Sequence, residues 1–372
     1  MSVKIRPIRL DEASILQKFI REQWKPQHAF VHSRELLLWQ HHLNPFKHLG
    51  AFGDEELSFW GAWDDSALVA VLGEIPVAVT IRGKSESGTW LAMWRNQAES
   101  KHTAAGLHLL RRLTSGPATF VGGLGMNERV RRAYGLFRFN IFDDLPLYVV
   151  LNPDVSSPWV HKKSTFTEAQ GSRLFARTVK LPSSGKYTTR PFPPEAEEWD
   201  RFWSGIRREL VGTDRSFRYM NWRYLEHPNY RYEWICIYGE RGEIEAAGVY
   251  RVEEAEGEKT LHIVEFLGEG QPAERLAHAL CTAMREHKAS FLGFRCSRQR
   301  SFDPWRTVGG GVYDSNDQAY ELPSLFQPVI PEYRALAWIY RIRRGVDPAE
   351  LAELYVTRSD GDQDRPSEIG PR

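Results

Sequence analysis

A chain of 372 residues, 42% hydrophobic with 13 tryptophans, is long for one domain and can build more than one sizeable core. Its 49 Lys and Arg against 48 Asp and Glu leave a net charge of +1, which argues against a dedicated nucleic-acid binder. Three cysteines without CxxC spacing, no signal-like start and no apolar run near the ~20 residues of a bilayer span point to reduced thiols in a cytoplasmic protein.

Lys4 to Leu10 alternates as a first strand, and a helix follows with Ile15, Leu16, Phe19 and Ile20 on one stripe. His28 to His48 is dense in His and Trp. His41 and His42 point apart on a helix and no Cys or carboxylate completes a ligand set, so no metal is expected there. Phe59 to Arg82 reads as two strands about the turn Asp64-Asp65-Ser66, with Pro76 marking a bulge or edge. Glu74 is a carboxylate among apolar neighbours in that run. Buried and facing a cleft, it would have a raised pKa and serve as a base.

Trp90 to Arg95 is a strand, and a helix opens near Ala104 after the loop Lys101-His102-Thr103-Ala104-Ala105-Gly106. A helix start offers free N–H groups and the positive end of the dipole, and small side chains let a phosphate approach them. Leu107, Leu110 and Leu113 recur at helical spacing. Next come a strand at Ala118–Gly122, the turn Gly123 to Asn127, a helix carrying Tyr134, and a strand at Leu145–Leu151. Pro, Ser and Thr then gather between Asn152 and Pro194, so residues 153–194 are expected as a linker between a first domain, 1–152, and a second, 195–330.

After an amphipathic helix, residues 214–234 are dense in aromatics and arginines. Arg218, Trp222 and Arg223 there can bind a sugar or anion by stacking and bidentate hydrogen bonds, or stack within the fold. The second half then repeats the first. Trp63 and Phe120 lie 57 residues apart, as do Trp234 and Phe291. At that offset Lys101, Ala104 and Gly106 meet Pro272, Arg275 and Ala277, while Glu269 and Glu274 put carboxylates at the second helix start, where they compete with a phosphate. Tyr333 to Arg344 reads as a helix in a tail of 331–372, and Asp347-Pro348 as the start of another. Asp360, Asp362 and Asp364 alternate as in a calcium loop, but Arg365 stands where the loop needs Gly, so no calcium is expected.

The loop from Lys101 to Gly106 resembles the acyl-CoA loop of the GNAT superfamily of N-acyltransferases, Arg/Gln-x-x-Gly-x-Gly/Ala, with Lys101, Ala104 and Gly106 at the named positions. The run from Ala118 to Leu151 resembles the closing half of that fold, with Arg138 where the family usually has Gly. Residues 214–234 and the chain end resemble double GNAT-like proteins of bacterial surface-polysaccharide gene clusters. The resemblance implies an α/β (α+β) fold of two tandem GNAT-like domains, each a mixed, mostly antiparallel sheet flanked by helices. It implies acetyl-CoA or another acyl-CoA as co-substrate, with no metal. Met93, Trp94 and Arg95 would line the pantetheine arm, Lys101, Ala104, Ala105, Gly106 and Leu107 the pyrophosphate, and Asn127 would lie beside the cofactor. Tyr134 would protonate the leaving thiolate. The acceptor would be a small-molecule amine, such as a nucleotide-linked amino sugar. Two other readings stay open: a Fem-type aminoacyl transferase using aminoacyl-tRNA, and a non-catalytic GNAT-like binding protein. Oligomeric state stays open as well.

Overall fold

The computed structural model describes residues 3–98, 101–162, 188–314, 320–323, 333–343 and 351–369. In chain order the strands that matter are β1 (Lys4–Arg9), β2 (Glu56–Asp64), β3 (Ala67–Ile81), β4 (Lys84–Asn96), β5 (Phe120–Leu124), β6 (Asn140–Phe142), β7 (Leu147–Leu151), β8 (Thr188–Arg190) and β9 (Val211–Thr213). They continue with β10 (Glu233–Tyr238), β11 (Ile244–Ala255), β12 (Glu258–Leu267), β13 (Phe291–Arg295), β14 (Gly311–Val312), β15 (Trp338–Ile342) and β16 (Leu354–Tyr355). The main helices are α1 (Ala13–Gln23), α2 (Arg34–His41), α3 (Ala105–Thr114), α4 (Glu128–Leu136), α5 (Ala196–Ile206), α6 (Gly270–Glu286) and α7 (Asp303–Thr307).

Two sheets share one plan. The first runs β1-β2-β3-β4-β5-β15-β6, with β9 and β16 added beside β3. The second runs β8-β10-β11-β12-β13-β7-β14. Within these two orders every pairing is antiparallel except β4 with β5 and β12 with β13. Each parallel pair is joined by a helix, α3 in one and α6 in the other, because a parallel crossover needs a long connection. The architecture is therefore mixed α/β, with two mixed, mostly antiparallel sheets flanked by helices.

Burial follows the residue pattern. Strand β3 is buried along almost its whole length because both faces of the first sheet are covered, so its Val and Ile run is continuous rather than alternating. On one face Leu109, Leu110 and Leu113 of α3 and Tyr134 of α4 pack with Trp60, Leu72 and Leu91. On the other face Trp90, Phe120, Leu124 and Trp338 join the large cluster that also holds Trp199, Trp203, Trp222 and Trp234.

Two expected elements are corrected. Leu147–Leu151, read as the strand closing the first sheet, lies in the second sheet between β13 and β14. Its place in the first sheet is taken by Trp338–Ile342, which is a strand and not the helix read over Tyr333–Arg344. The β-branched and aromatic residues Trp338, Ile339, Tyr340 and Ile342 suit a pleated surface, and Ile339 packs on the opposite face from Trp338 and Tyr340. Thr188–Arg190, placed in the linker, is an edge strand of the second sheet. The helix start at Asp347-Pro348 lies outside the described residues, as does most of the linker.

The chain end is built into the body. Asp360 accepts from Arg215 at 2.8 Å and Asp364 accepts from Arg251 at 3.1 Å, both pairs buried, and Asp364 also accepts from the half-buried Tyr232 at 2.7 Å. The alternating aspartates read as a calcium-like run therefore neutralise arginines, and against the upward push of burial Arg251, His262, Arg223 and Arg358 hold the Asp364 carboxyl well below its ordinary range. No helix among the described residues is long and apolar enough to cross a membrane.

Candidate active site

Strands β4 and β5 pair only over Gly88–Leu91 and Phe120–Gly123. Beyond Leu91 the strands part, while β4 continues to pair with β3 through Asn96. A register shift falls at the same point: Leu72 faces Trp94 but Glu74 faces Leu91, which leaves an extra residue on β4. The bulge bends β4 away and opens a wedge whose β4 wall, Ala92 to Asn96, has no strand partner on that side among the described residues. Met93, Trp94 and Arg95 lie on this wall. Met93 is buried, Trp94 lies toward α3 and donates its indole N–H to the Gly106 carbonyl at 3.1 Å, and Arg95 donates to the Gln23 carbonyl at 2.6 Å.

Helix α3 starts at the mouth of the wedge. Its first intrahelical bond runs from His108 N–H to the Ala104 carbonyl, so the N–H groups of Gly106 and Leu107 have no helical acceptor. Ala104, at the N-cap, is exposed and makes no side-chain cap bond. Ala105 is buried and Leu107 exposed. Lys101 is exposed and pairs with Asp64 at 2.9 Å, where His102 also binds. Gly106 has a second role: a Cβ there would collide with Asn96 Oδ1 and Trp94 Nε1, so its absence lets the helix start seat on β4.

Tyr134 stands on α4, which Asn127 caps by accepting from Val130 N–H at 3.3 Å. Asn127 is thus held in helix capping. The Tyr134 ring packs on Trp94 at 5.4 Å and Phe139 at 5.3 Å. Its hydroxyl has no hydrogen-bond partner among the described residues. Burial, then the Asp362 charge of the chain end, push its pKa above the ordinary tyrosine range, so it stays protonated. That chain end lies along β5: Gln363 Nε2 is 3.5 Å from the Leu124 carbonyl, and a Cβ on Gly125, whose φ is +71°, would meet Gln363 at 2.6 Å.

The other expected site residues are placed differently. The Glu74 carboxyl accepts from Trp60 Nε1 at 2.6 Å, beneath Arg112, on the face covered by α3. It does not face the opposite side, where an acceptor would enter. Burial lifts its pKa to about 7 against the opposing hydrogen bond from Trp60. Arg218 donates to the Pro45 carbonyl at 2.8 Å. Trp222 and Trp39 are stacked at 5.1 Å and exchange indole-to-carbonyl hydrogen bonds. Arg223 is buried and donates to the Gly361 carbonyl at 3.0 Å. Trp222 and Arg223 are buried in the framework, with Arg223 fastening the chain end, while Arg218 is exposed. Among the described residues no His, Cys, Asp or Glu group has the arrangement of a metal site.

The second sheet has the same wedge, with Tyr355 set against its wall and a cavity of about 210 Å³ left among Phe266, Gly268, Glu269, Arg298 and Tyr355. β12 and β13 pair only over Leu261–Ile263 and Leu292–Phe294, with a bulge at the following residue. The Phe266 N–H on the freed wall donates to the Tyr355 hydroxyl at 3.0 Å, and that hydroxyl donates to Glu265 at 3.0 Å. At the start of α6 the N-cap Glu269 is tied to Arg298 at 2.7 Å. Tyr355, Asp362 and Gln363 were not singled out from sequence as site residues. Tyr355 and Gln363 carry no motif, Asp362 was read only within the calcium-like run, and the ordering of the chain end brings them here.

No family model and no curated protein matches the sequence. Solved structures match along nearly its whole length. A conserved protein of unknown function from Enterococcus faecalis V583, described as a probable N-acyltransferase, is similar at TM-score 0.57 and 12% identity, over 92% of this chain and 73% of that one. A GCN5-related N-acetyltransferase from Anabaena variabilis is similar at 0.55 and 11%, over 91% and 72%. Another from Kribbella flavida is similar at 0.53 and 14%, over 100% and 83%. The fold is that of the GCN5-related N-acetyltransferases. Trp94 joins the first wedge, the start of α3 and Tyr134, since it donates to the Gly106 carbonyl and packs on the Tyr134 ring.

Proposed function

We propose that the chain transfers an acyl group from acyl-CoA to an amine at the first wedge, and that the second wedge is architectural. The observation that carries this reading is the asymmetry between the two. The first has an unpaired β4 wall, a helix start with free N–H groups and a protonated tyrosine. In the second, Tyr355 takes the wall N–H and Glu269 puts a negative charge at the helix start. A pyrophosphate would be held at Gly106 and Leu107 by N–H groups and the helix dipole, with Lys101 and the small Ala104 and Ala105 at its border. The pantetheine arm would run along Ala92 to Asn96 as an added strand edge. The amine attacks the thioester carbon, backbone N–H groups of β4 stabilise the oxyanion, the C–S bond breaks as the thiolate takes its proton from Tyr134, and the proton that the new amide nitrogen loses returns through solvent to Tyr134.

An amino sugar as acceptor, and a role in surface polysaccharide, are supported by the sequence resemblance. An aminoacyl-tRNA donor is disfavoured by the near-neutral charge. The test is a thiol-release assay with acetyl-CoA and a panel of primary amines. The proposal expects amine-dependent release that follows acyl-CoA saturation. Absence of release with every acyl-CoA and amine, together with absence of acyl-CoA binding, would refute it.

A further inference from the structure

The helix face of the first sheet holds the cofactor in the reading above, so an acceptor must approach from the other face. That face carries a 530 Å³ cavity bordered by β6, β15 and the residues leading into β16. Its wall is aromatic. Phe142 and Trp338 stack at 4.2 Å with their planes 13° apart, and Tyr340 lies 5.8 Å from Phe142 and 5.7 Å from Trp338 in the same near-parallel array. Phe142 is 39% exposed, a large apolar ring left open beside the cavity. Trp338 is 5% exposed, and its indole N–H has no acceptor among the described residues. A buried donor left unpaired is costly, so such a group in a cavity wall points to a partner that arrives with a ligand. Gln299 and Arg300 also border the cavity and add donors.

The position relates the cavity to the wedge. Trp338 faces Leu124 of β5 on one side and Phe142 of β6 on the other. The aromatic wall therefore begins one strand spacing, about 4.8 Å, from the β5 side of the wedge and ends near the second, roughly 10 Å away. Gly361 of the chain end covers Leu124 between the two.

We propose that this cavity binds a pyranose ring of the acceptor, whose amine reaches past Gly361 to the wedge. The inference rests on the acyl-transfer reading. A sugar ring has an apolar C–H face to lie on Phe142 and a hydroxyl edge to accept from Trp338, Gln299 and Arg300. Arg300 is already paired with Glu353 at 3.0 Å, and a purely aromatic ligand would use the wall and leave the Trp338 donor unpaired. The spacing further implies that the ring in the cavity is a second unit, joined to the sugar that carries the reacting amine.

The probes are methyl glycosides of glucosamine, galactosamine and mannosamine and their disaccharides, titrated against the full chain by intrinsic tryptophan fluorescence and saturation-transfer NMR. Acetyl-CoA is titrated on the same samples. The expected result is saturable glycoside binding, tighter for disaccharides, that Phe142→Ala weakens at least tenfold and Phe142→Tyr restores, with acetyl-CoA affinity unchanged in both. Equal glycoside affinity in wild type and Phe142→Ala overturns the proposal. So does binding of benzylamine at this wall with no glycoside binding. If wild type fails to bind acetyl-CoA, the acyl-transfer reading falls, and the glycoside titrations still decide the cavity.

Discussion

Tyr134→Phe separates chemistry from packing. The ring contacts with Trp94 and Phe139 remain, and the hydroxyl that is removed has no hydrogen-bond partner among the described residues. The stability change should be under about 1 kcal/mol, since no hydrogen bond is lost. The catalytic loss should be larger. General acid catalysis typically contributes ~10²–10⁴-fold. The leaving thiol has a free pKa of roughly 8.5 and departs tolerably as thiolate, so the lower end applies. We expect a ten- to hundredfold drop in turnover, about 1.4–2.7 kcal/mol in barrier, with acyl-CoA affinity unchanged. The assay is thiol release under saturating acyl-CoA, beside thermal unfolding of the same samples. Burial keeps Tyr134 protonated beyond the ordinary tyrosine range, so wild-type turnover should show no alkaline decline from this group below about pH 10. A variant that turns over at the wild-type rate would refute the assignment.

Three further outcomes follow from the packing. Asp364→Ala removes a buried carboxylate that accepts from Arg251 and Tyr232, and should destabilise by ~3–5 kcal/mol in chemical denaturation; a loss under about 1 kcal/mol would contradict the tail's anchoring role. Acidification should destabilise the chain. Burial pushes His28 down to about 2 and His41 and His227 to about 3, so the stability their neutral forms contribute is present above pH ~6.5 and is lost as pH falls. Glu74, lifted to about 7, acts oppositely: its contribution is present at low pH and lost as pH rises through 7. Around pH 5.5 the unfolded chain thus binds an excess of about two protons from these groups, worth roughly 2.7 kcal/mol per pH unit, and a Tm flat between pH ~6.5 and ~4.5 would contradict it. Because β7 and β15 cross between the sheets, fragments 1–162 and 188–372 should each fail to fold alone, and their circular dichroism should show no cooperative transition.

Local patterns made much of the site legible. The Trp90–Arg95 strand, the small-residue helix start and the helix bearing Tyr134 each have a period and a boundary within a dozen residues. The repeat at Trp63 and Trp234 anticipated two sheets of one plan. The exchange of Leu147–Leu151 for Trp338–Ile342 was not legible, because a strand's own alternation suits either sheet and the partner is chosen by packing nearly 200 residues away. Gly106 read as room for a phosphate and proves also to be room for Trp94 and Asn96, a contact that depends on the bulge in β4. Arg218, Trp222 and Arg223 have a composition that serves binding or framework equally. Burial against Trp39 decides it for Trp222 and burial under the chain end for Arg223, while Arg218 stays exposed.

The central claim is that one wedge of the two takes acyl-CoA, and a calorimetric titration of the full chain with acetyl-CoA, run on wild type and on Ala104→Glu, addresses it. Ala104 is exposed at the helix start, so the substitution spares the Gly106 contacts and places there a carboxylate like that of Glu269 at the start of α6. Competition for the same N–H groups and repulsion of the pyrophosphate should weaken binding at least tenfold, about 1.4 kcal/mol, with little change in Tm. One site per chain in wild type, weakened in this way, is the expected result; two sites, or a single site indifferent to Ala104→Glu, would contradict the account.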